Sequence, residues 1–311
     1  MMSEWKLKIL DNPNELQAVE ALQRQVWPGN ETEVVPVHML VAVVHNGGLL
    51  VGAYRSADAG EDQEELIGFV FGFPGFYNTP DGPRLKHCSH MLAVHPDHRD
   101  HGLGFALKRA QWQMVRHQGL DRIIWTYDPL LSRNAHLNIA KLGAVCSTYH
   151  REVYGEMRDG LNVGLPSDRF EVDWWVNTKR VERRLSRRAR RRLDLAHYFS
   201  AGAEIINPSQ IGAKGWPQPS EQPVALPSWE QDQPDGESGK RKKASLLLLE
   251  IPADFLAIKT SDLGLALAWR LHTRALFEQL FSGGYLVTDF VFLSSNQPRS
   301  FYVLSHGEST L

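Results

Sequence analysis

The stretch of residues 91–108, MLAVHPDHRDHGLGFALK, constrains the fold of this 311-residue chain more than any other. Residues 91–94 have the short apolar character of a strand, and Pro96 ends it because proline has no amide to donate to a strand ladder. Two glycines follow, and apolar residues then recur with helical spacing at Leu103, Ala106, Leu107, Ala110 and Met114. This order predicts a strand, a glycine loop and a helix, whose outward-pointing amides suit an anion such as a pyrophosphate.

The loop carries a motif, Arg99-x-x-Gly102-x-Gly104, that resembles the acetyl-coenzyme A (acetyl-CoA) pyrophosphate motif of the GNAT acyltransferases. The whole strand-turn-loop-helix context makes the resemblance more specific than a bare pair of glycines. It implies an α/β fold of GNAT type, with a mixed, partly splayed sheet flanked by helices. It also implies cofactor contacts from the strand and the loop: Leu92, Ala93, Val94, Arg99, Asp100, His101, Gly102, Leu103 and Gly104. The alternative is a βα turn whose glycines only permit tight packing.

A second segment, residues 125–144, resembles the other coenzyme A segment of the family. The resemblance gives Asn134 the role of the asparagine that opens a short helix. Many members carry a tyrosine general acid four residues before the glycine, here Gly143, but this chain has Ile139 at that position. The resemblance therefore implies that another group or solvent protonates the leaving thiolate. Residues 128–130, 154–155 and 165–169 look like one poorly characterised branch of predicted GNAT acetyltransferases.

Composition excludes several other classes of protein. The formal net charge of −2 gives no global attraction for nucleic acid or a membrane surface. Cys88 and Cys146 have no metal-like spacing, which argues against a disulfide framework or a zinc site and fits a reducing cytosol. No apolar run reaches membrane-spanning length, and the first residues lack the apolar core of a signal peptide. We expect a cytoplasmic protein without a metal or a membrane partner.

The order of predicted elements before the glycine loop resembles the order that a GNAT domain would have. We predict a strand at 6–10, a helix carried by apolar residues from Leu16 to Val26, and a hairpin of strands 49–55 and 66–73. The apolar segment 36–44 has no clear assignment. The turn-rich stretch 72–83 predicts a loop, which either covers a substrate mouth or is only a surface connection.

The remainder of the chain divides by composition. Strands are predicted at 122–127, 145–154 and 170–176, and then nine Arg or Lys occur among the 14 residues 179–192. The interpretation we favour for this basic stretch is a solvated helix face, so that nucleic acid is not expected as a partner. The segment 207–243 has the composition of a linker. A strand at 246–251, a helix at 263–281 and a strand at 285–293 follow.

These patterns predict four parts. They are a GNAT acyl-CoA-binding domain at 1–178, a basic helical connector at 179–206, a flexible loop at 207–244 and a strand-helix-strand subdomain at 245–311. The last part is either a degenerate GNAT-like half or a βαβ unit of independent origin, since that motif is common.

Three residues near the predicted site are candidates for the general base. His90 precedes Leu92 by two residues and is expected on the same strand face, while Tyr127 and Asp128 stand at the carboxyl end of the next strand, where ligands gather in α/β sheets. Each also has a structural interpretation: a core histidine, a packing tyrosine and the turn cap typical of Asp-Pro. Tyr149 and Tyr154 are weaker candidates for the missing acid.

The function that the resemblance implies is transfer of an acetyl group from acetyl-CoA to a primary amine of a small acceptor, by direct attack in a ternary complex. A non-catalytic acyl-CoA-binding or regulatory module is the alternative, because the tyrosine is missing. A nucleic-acid modifier would depend on residues 179–192 alone.

Overall fold

The computed structural model describes residues 5–29, 31–55, 64–155, 164–186, 193–220 and 246–306. Within these ranges the chain forms two compact units, the first from residues 5–125 and 173–185 and the second from the rest. In both, strands of mixed direction carry helices, so the predicted mixed α/β class is confirmed. The predicted four-part division stays a prediction.

The first unit is built on a sheet in which the strands follow chain order. They are β1 (Trp5–Ile9), β2 (Leu49–Arg55), β3 (Glu65–Thr79), β4 (Gly82–Val94) and β5 (Arg122–Tyr127). The first four pair antiparallel, and β4 pairs parallel with β5. β5 also contributes its last residues to the second unit.

Three helices of the first unit bury apolar residues against its sheet. They are α1 (Pro13–Val26), α2 (Val37–His45) and α3 (Leu103–His117). The Asn12 side chain caps α1 by accepting from the amides of Asn14 and Glu15. The unassigned segment 36–44 is α2, and its Leu40 is buried in one cluster with residues of α1 and β3.

The prediction of a loop at 72–83 is wrong: β3 and β4 pair continuously from Gly72 and Ser89 to Thr79 and Gly82, around a turn at Pro80 and Asp81. Proline and glycine are tolerated here because β2 pairs with β3 only as far as Gly72. Beyond that point one side of β3 has no β2 partner, so the missing amide of Pro74 interrupts no β2 ladder.

The second unit holds the other strands. They are β6 (Val145–His150), β7 (Arg169–Trp175), β8 (Glu204–Ile205), β11 (Leu246–Ile251), β12 (Tyr285–Leu293) and β13 (Arg299–His306). Their order is β7-β6-β12-β13-β11-β8, and β9 (Gln210–Ile211) pairs separately with β10 (Pro217–Gln218). β7 also contributes its last residues to the first unit.

The predicted strand-helix-strand at the end of the chain is present. β11 and β12 are each antiparallel to β13, so they run parallel to each other with β13 between them. Two helices connect them, α7 (Phe255–Ser261) and α8 (Leu263–Ser282). We did not predict β13.

The remaining helices are short. α4 (Ser132–Ala135) continues into a π-helical turn, His136–Lys141. α5 (Lys179–Leu185) opens the basic stretch, and its apolar residues Val181 and Leu185 are buried. α6 (Leu195–Ser200) has an Asp194 capping box. Residues 187–192 of the basic stretch lie outside the described residues.

The first residues of the predicted flexible loop make specific contacts. The Asn207 side chain is buried and bonds both the backbone N–H and the C=O of Glu250, at 2.7 and 3.0 Å. The Trp269 indole donates to the carbonyl of Pro217 at 2.8 Å. The rest of that loop, from 221, lies outside the described residues. No helix in the described part of the chain is long and apolar enough to cross a bilayer.

Candidate active site

The glycine loop joins β4 to α3 in the first unit. The Arg99 guanidinium folds back and donates from Nε to the carbonyl of Val94 at 3.2 Å, which ties the loop to the end of β4. Gly102 is the N-cap of α3 and has a φ of 82°, a left-handed conformation that favours glycine. A Cβ atom built there would have no other atom within 4 Å, so the space beside Gly102 is open.

The start of α3 therefore offers what an anion needs. The first amides of a helix have no acceptor within the helix and lie at the positive end of its dipole. Asp100, His101 and Gly102 are exposed in front of them, whereas Leu103 is buried and anchors the helix. These residues fit a pyrophosphate.

β4 and β5 separate part-way along β4, six residues before its end at Val94. Their parallel pairing covers only His87 with Ile123 and Cys88 with Ile124. β4 nevertheless continues to Val94, and on its other side Leu92, Ala93 and Val94 remain paired with β3. The predicted partly splayed arrangement thus begins at Ser89 and Trp125, within the first unit.

His90 is the extra residue of a β-bulge. Met91 pairs with Phe71 and Ser89 pairs with Gly72, so that β4 has one residue more than β3 at this point. The His90 ring lies 6.0 Å from that of Phe71 and 5.8 Å from that of Phe73. Phe71, Phe73 and Met91 all belong to the cluster beneath α1 and α2.

The expectation that His90 and Leu92 share a face is wrong, because the bulge interrupts the alternation of side chains. His90 is exposed, but the protein around it lowers the pKa of its imidazole by desolvation. A histidine with a lowered pKa is neutral at pH 7 and can accept a proton.

A buried polar group lies where β4 and β5 separate. Lys108 of α3 is 2% exposed, and its Nζ is 2.9 Å from both Ser89 Oγ and Gln111 Oε1. Gln111 also approaches His87 Nε2 at 3.2 Å. The burial of Lys108 and Gln111 was not predicted. Both lie on the apolar stripe of α3, and a polar residue on such a stripe is the sequence feature that could have indicated a buried polar group.

Within the described residues, no cluster of three or more His, Cys, Asp or Glu has the geometry of a metal site. His95, His98 and His101, which lie in or next to the glycine loop, therefore form no such cluster there. The absence of a metal stays a prediction.

The sequence of residues 20–143 matches the model of the Acetyltransferase (GNAT) family. This stretch of the sequence belongs to the GNAT acetyltransferase family. The match includes the glycine loop, β4, β5 and Asn134, and the family uses acetyl-CoA. Among curated proteins, no sequence matches this chain.

Several solved structures are similar in fold to about half of this chain. The NatC complex bound to Gag peptide and CoA is 17% identical, with a TM-score of 0.41, over 55% of this chain and 97% of that one. NAA60 of Arabidopsis thaliana in complex with acetyl-CoA is 16% identical, with a TM-score of 0.44, over 55% and 99%. The Escherichia coli ribosomal-protein-S18-alanine N-acetyltransferase is 14% identical, with a TM-score of 0.40, over 55% and 94%.

Two of the candidate bases belong to the second unit, and both are buried. The hydroxyl of Tyr127 is 3.1 Å from that of Tyr302, which donates to the carbonyl of Pro129 at 2.8 Å. Burial raises the pKa of Tyr127 well above its ordinary value. A phenol that keeps its proton is a poor general base.

The Asp128 carboxylate pairs with a guanidinium that was not predicted from the sequence. Arg270 of α8 is 1% exposed and forms a two-bond pair with the Asp128 carboxylate, one bond being 2.8 Å long. The same carboxylate accepts from the amide of Leu130 at 2.9 Å, as an Asp-Pro turn cap does. Arg270 stands 142 residues away in sequence, and no local pattern relates the two.

The second coenzyme A segment contains a short helix, as the resemblance implies, but this helix begins two residues before Asn134. Asn134 is half-buried and is the third residue of α4, which begins at Ser132. Ile139, at the position of the usual tyrosine, is completely buried in the π-helical turn. The two weaker acid candidates also have partners: Tyr149 donates to Asp168 at 2.7 Å, and Tyr154 is 2.7 Å from Thr126 Oγ1.

Proposed function

We propose that this protein transfers the acetyl group of acetyl-CoA to a primary amine of a small acceptor, by direct attack of the amine within a ternary complex. The observation that carries the proposal is the loop between β4 and α3, with its left-handed Gly102 and open space, inside a domain of the GNAT family. We also propose, as expected from the sequence, that the protein is cytoplasmic and works without a metal.

In this proposal the first unit holds most of the cofactor. The loop amides and the start of α3 bind the pyrophosphate, and Arg99 holds the loop against Val94. Backbone groups of Leu92, Ala93 and Val94 pair with the pantetheine arm along the edge of β4 that β5 leaves. An amide near Leu92 stabilises the oxyanion that forms when the amine attacks. The resemblance adds Asn134.

We assign the general base to His90. Its lowered pKa leaves the ring neutral at pH 7, and its exposure gives an amine or a bridging water access. The Asp128 carboxylate is already paired with the Arg270 guanidinium, and the Tyr127 hydroxyl is hydrogen-bonded to that of Tyr302. We therefore propose structural roles for these two residues.

A non-catalytic acyl-CoA-binding module is the second candidate function. It is favoured by Ile139, a buried apolar side chain where many GNAT enzymes carry their general acid. Such a module would bind acetyl-CoA with the same loop and release no thiol.

One experiment separates the two functions. The full chain is titrated with acetyl-CoA by calorimetry and then incubated with acetyl-CoA and a panel of small primary amines, while free thiol is measured. Amine-dependent thiol release supports the transferase. Tight binding without release from any amine supports the binding module, and the absence of binding contradicts both.

A further inference from the structure

The outer face of α8 is apolar over about three turns of the helix. Six residues between 263 and 275 are exposed, and all six are apolar or glycine: Leu263, Gly264, Leu267, Ala268, Leu271 and Ala275. The three leucines are 48%, 38% and 47% exposed. On the opposite side of α8, Trp269, Phe277 and Leu280 are buried. Because α8 is apolar on both sides, its outer face is suited to a protein contact rather than to water.

The titratable side chains in this part of α8 do not contribute charge to the outer face. Two arginines occur here, and both are paired with buried carboxylates: Arg270 with Asp128 and Arg274 with Asp168. His272 is half-buried, and burial lowers the pKa of its ring, so the ring is neutral at pH 7. A contact on the outer face therefore removes water from no charged group, which is the costly part of forming an interface.

The exposed residues of this face alternate in size in a regular way. The three leucines occupy every fourth position and form a ridge along the helix. Gly264 and Ala268 form a row of small residues beside it. Apart from its chain neighbours and the helix backbone, a Cβ atom built at Gly264 would meet only Asp262 Oδ1, at 3.5 Å. The same face thus carries a ridge and a shallow groove, and two copies of such a face fit each other when ridges pack into grooves.

We propose that the outer face of α8 binds a second copy of this chain, with the two helices antiparallel about a two-fold axis. In a two-fold contact every pairing of residues occurs twice. When Leu267 is opposite Leu271 of the second copy, antiparallel packing places Leu263 opposite Ala275. A large side chain then meets a small one at each end of the face, and the central leucines of both copies meet at the axis. This inference does not depend on the proposed function.

Charges at the two ends of the face favour the antiparallel direction. An ion pair of Lys214 with Asp262 lies at the start of α8, and one of Arg151 with Glu278 lies near its end, all within the second unit. Antiparallel packing brings Lys214 near Glu278 of the second copy, and Asp262 near Arg151. Parallel packing would bring each of these groups near its own like-charged copy. The antiparallel arrangement also places the positive end of one helix dipole beside the negative end of the other.

The size of the face sets the strength of association. Its six exposed residues are fewer than the roughly 20–30 residues a side of a standard interface. We therefore expect a weak dimer with a Kd on the order of 10 μM. Sedimentation equilibrium of the full chain from about 1 to about 300 μM covers the change from monomer to dimer at such a Kd. A chain that stays monomeric over this range would overturn the inference.

Two variants with a charge on the outer face test whether it is the interface. Leu267→Glu and Leu271→Lys each place a charge against apolar side chains of the second copy, so each should raise the Kd at least about tenfold. The matched control is Leu85→Glu, at a leucine of β4 that is 46% exposed, and it should keep the wild-type Kd. Dimerisation that is weakened by Leu85→Glu but not by the two α8 variants would contradict the assignment.

A mixture of the two α8 variants tests the direction of the helices. In a heterodimer of Leu267→Glu with Leu271→Lys, the introduced carboxylate meets the introduced ammonium, and the symmetry-related pair is still leucine with leucine. The mixture should therefore associate at least about tenfold more tightly than either variant alone. A mixture that associates no better than its components would overturn the antiparallel arrangement. Circular dichroism checks that each variant is folded, and Ala268→Glu, on the same face, replaces a variant that is not.

Discussion

His90 lies where β4 carries one residue more than β3, and this bulge decides its environment. His90→Gln should lower kcat for acetyl transfer by about 10²- to 10⁴-fold, the usual range for loss of a general base, and leave the dissociation constant of acetyl-CoA unchanged. The wild-type rate should fall as pH drops through the His90 pKa, which lies below 6.5, because a protonated ring accepts no proton.

The measurement is the pH profile of kcat for both proteins, which should lose its acid limb in His90→Gln. The matched control is His117→Gln, an exposed histidine at the far end of α3, which should keep the wild-type profile. An acid limb that survives in His90→Gln would rule out His90 as the base.

A second histidine affects stability instead. His87 is completely buried, its Nδ1 has no hydrogen-bond partner, and burial lowers its pKa to about 3. Between about pH 6.5 and pH 3 the unfolded state therefore binds one proton that the folded state does not. The free energy of unfolding should decrease as pH falls through this window, by about 1.4 kcal/mol per pH unit from this group.

Urea denaturation at several pH values measures that slope. His87→Gln offers an amide oxygen to Gln111 and does not titrate, so the slope should become shallower by that amount. His38→Gln, at an exposed position of α2, should keep the wild-type slope. Equal slopes in wild type and His87→Gln would contradict the assignment.

At the scale of the element, α3 has a left-handed glycine at each end. Gly102 has a φ of 82° and Gly119 a φ of 78°, and a Cβ at either would meet no other atom within 4 Å. Leucine at either position should therefore cost a similar amount of stability, about 1–2 kcal/mol of backbone strain. Only Gly102→Leu should also weaken acetyl-CoA binding, by more than about tenfold, because its side chain enters the space proposed for the pyrophosphate.

Calorimetry with acetyl-CoA and thermal unfolding of both variants make the comparison. If Gly102→Leu binds acetyl-CoA as tightly as the wild type, the glycine loop is not the cofactor site. If both lose affinity together, the effect comes from α3 as a whole.

Local sequence patterns predicted most of the elements. Strands β2, β5, β11 and β12 lie within one residue of their predicted bounds, because apolar runs between turn signals are local information. The pattern failed for residues 72–83, where proline and glycine typical of loops occur in a hairpin. It also failed at His90, because nothing in the sequence around residues 89–91 indicates that a bulge reverses which face a side chain takes.

At the scale of the whole molecule, long-range pairs explain what the sequence could not predict. The motif resemblance was enough to place the glycine loop and Asn134 in the family domain. Asp128 pairs with Arg270, which is 142 residues away in sequence, and Tyr127 is hydrogen-bonded to Tyr302, which is 175 residues away. From the sequence alone such a residue is a candidate base, because a hydrogen-bond partner that lies far along the chain cannot be predicted.

The buried Asp128–Arg270 pair should make stability sensitive to the loss of either partner alone. Asp128→Asn leaves a buried guanidinium unpaired and should lower the free energy of unfolding by about 3–5 kcal/mol. The double variant Asp128→Asn, Arg270→Met should regain most of that loss, because no buried charge remains. Glu278→Gln, which removes the partner of the exposed Arg151, should cost less than about 1 kcal/mol.

Chemical denaturation of the three variants provides these values. A loss of stability in the double variant as large as in Asp128→Asn would show that the charge left unpaired is not the cause.

Two edge strands, β8 and β1, bear on self-association. In the second unit the sheet ends in β8, which is two residues long and offers another chain almost no backbone to pair with. In the first unit the sheet ends in β1, where Lys6 and Lys8 are exposed. Lys6 pairs with Glu64 and Lys8 with Glu15, so a strand added there from another chain would meet a row of charged side chains. Both ends are thus of the kinds that natural sheets use against edge-to-edge aggregation.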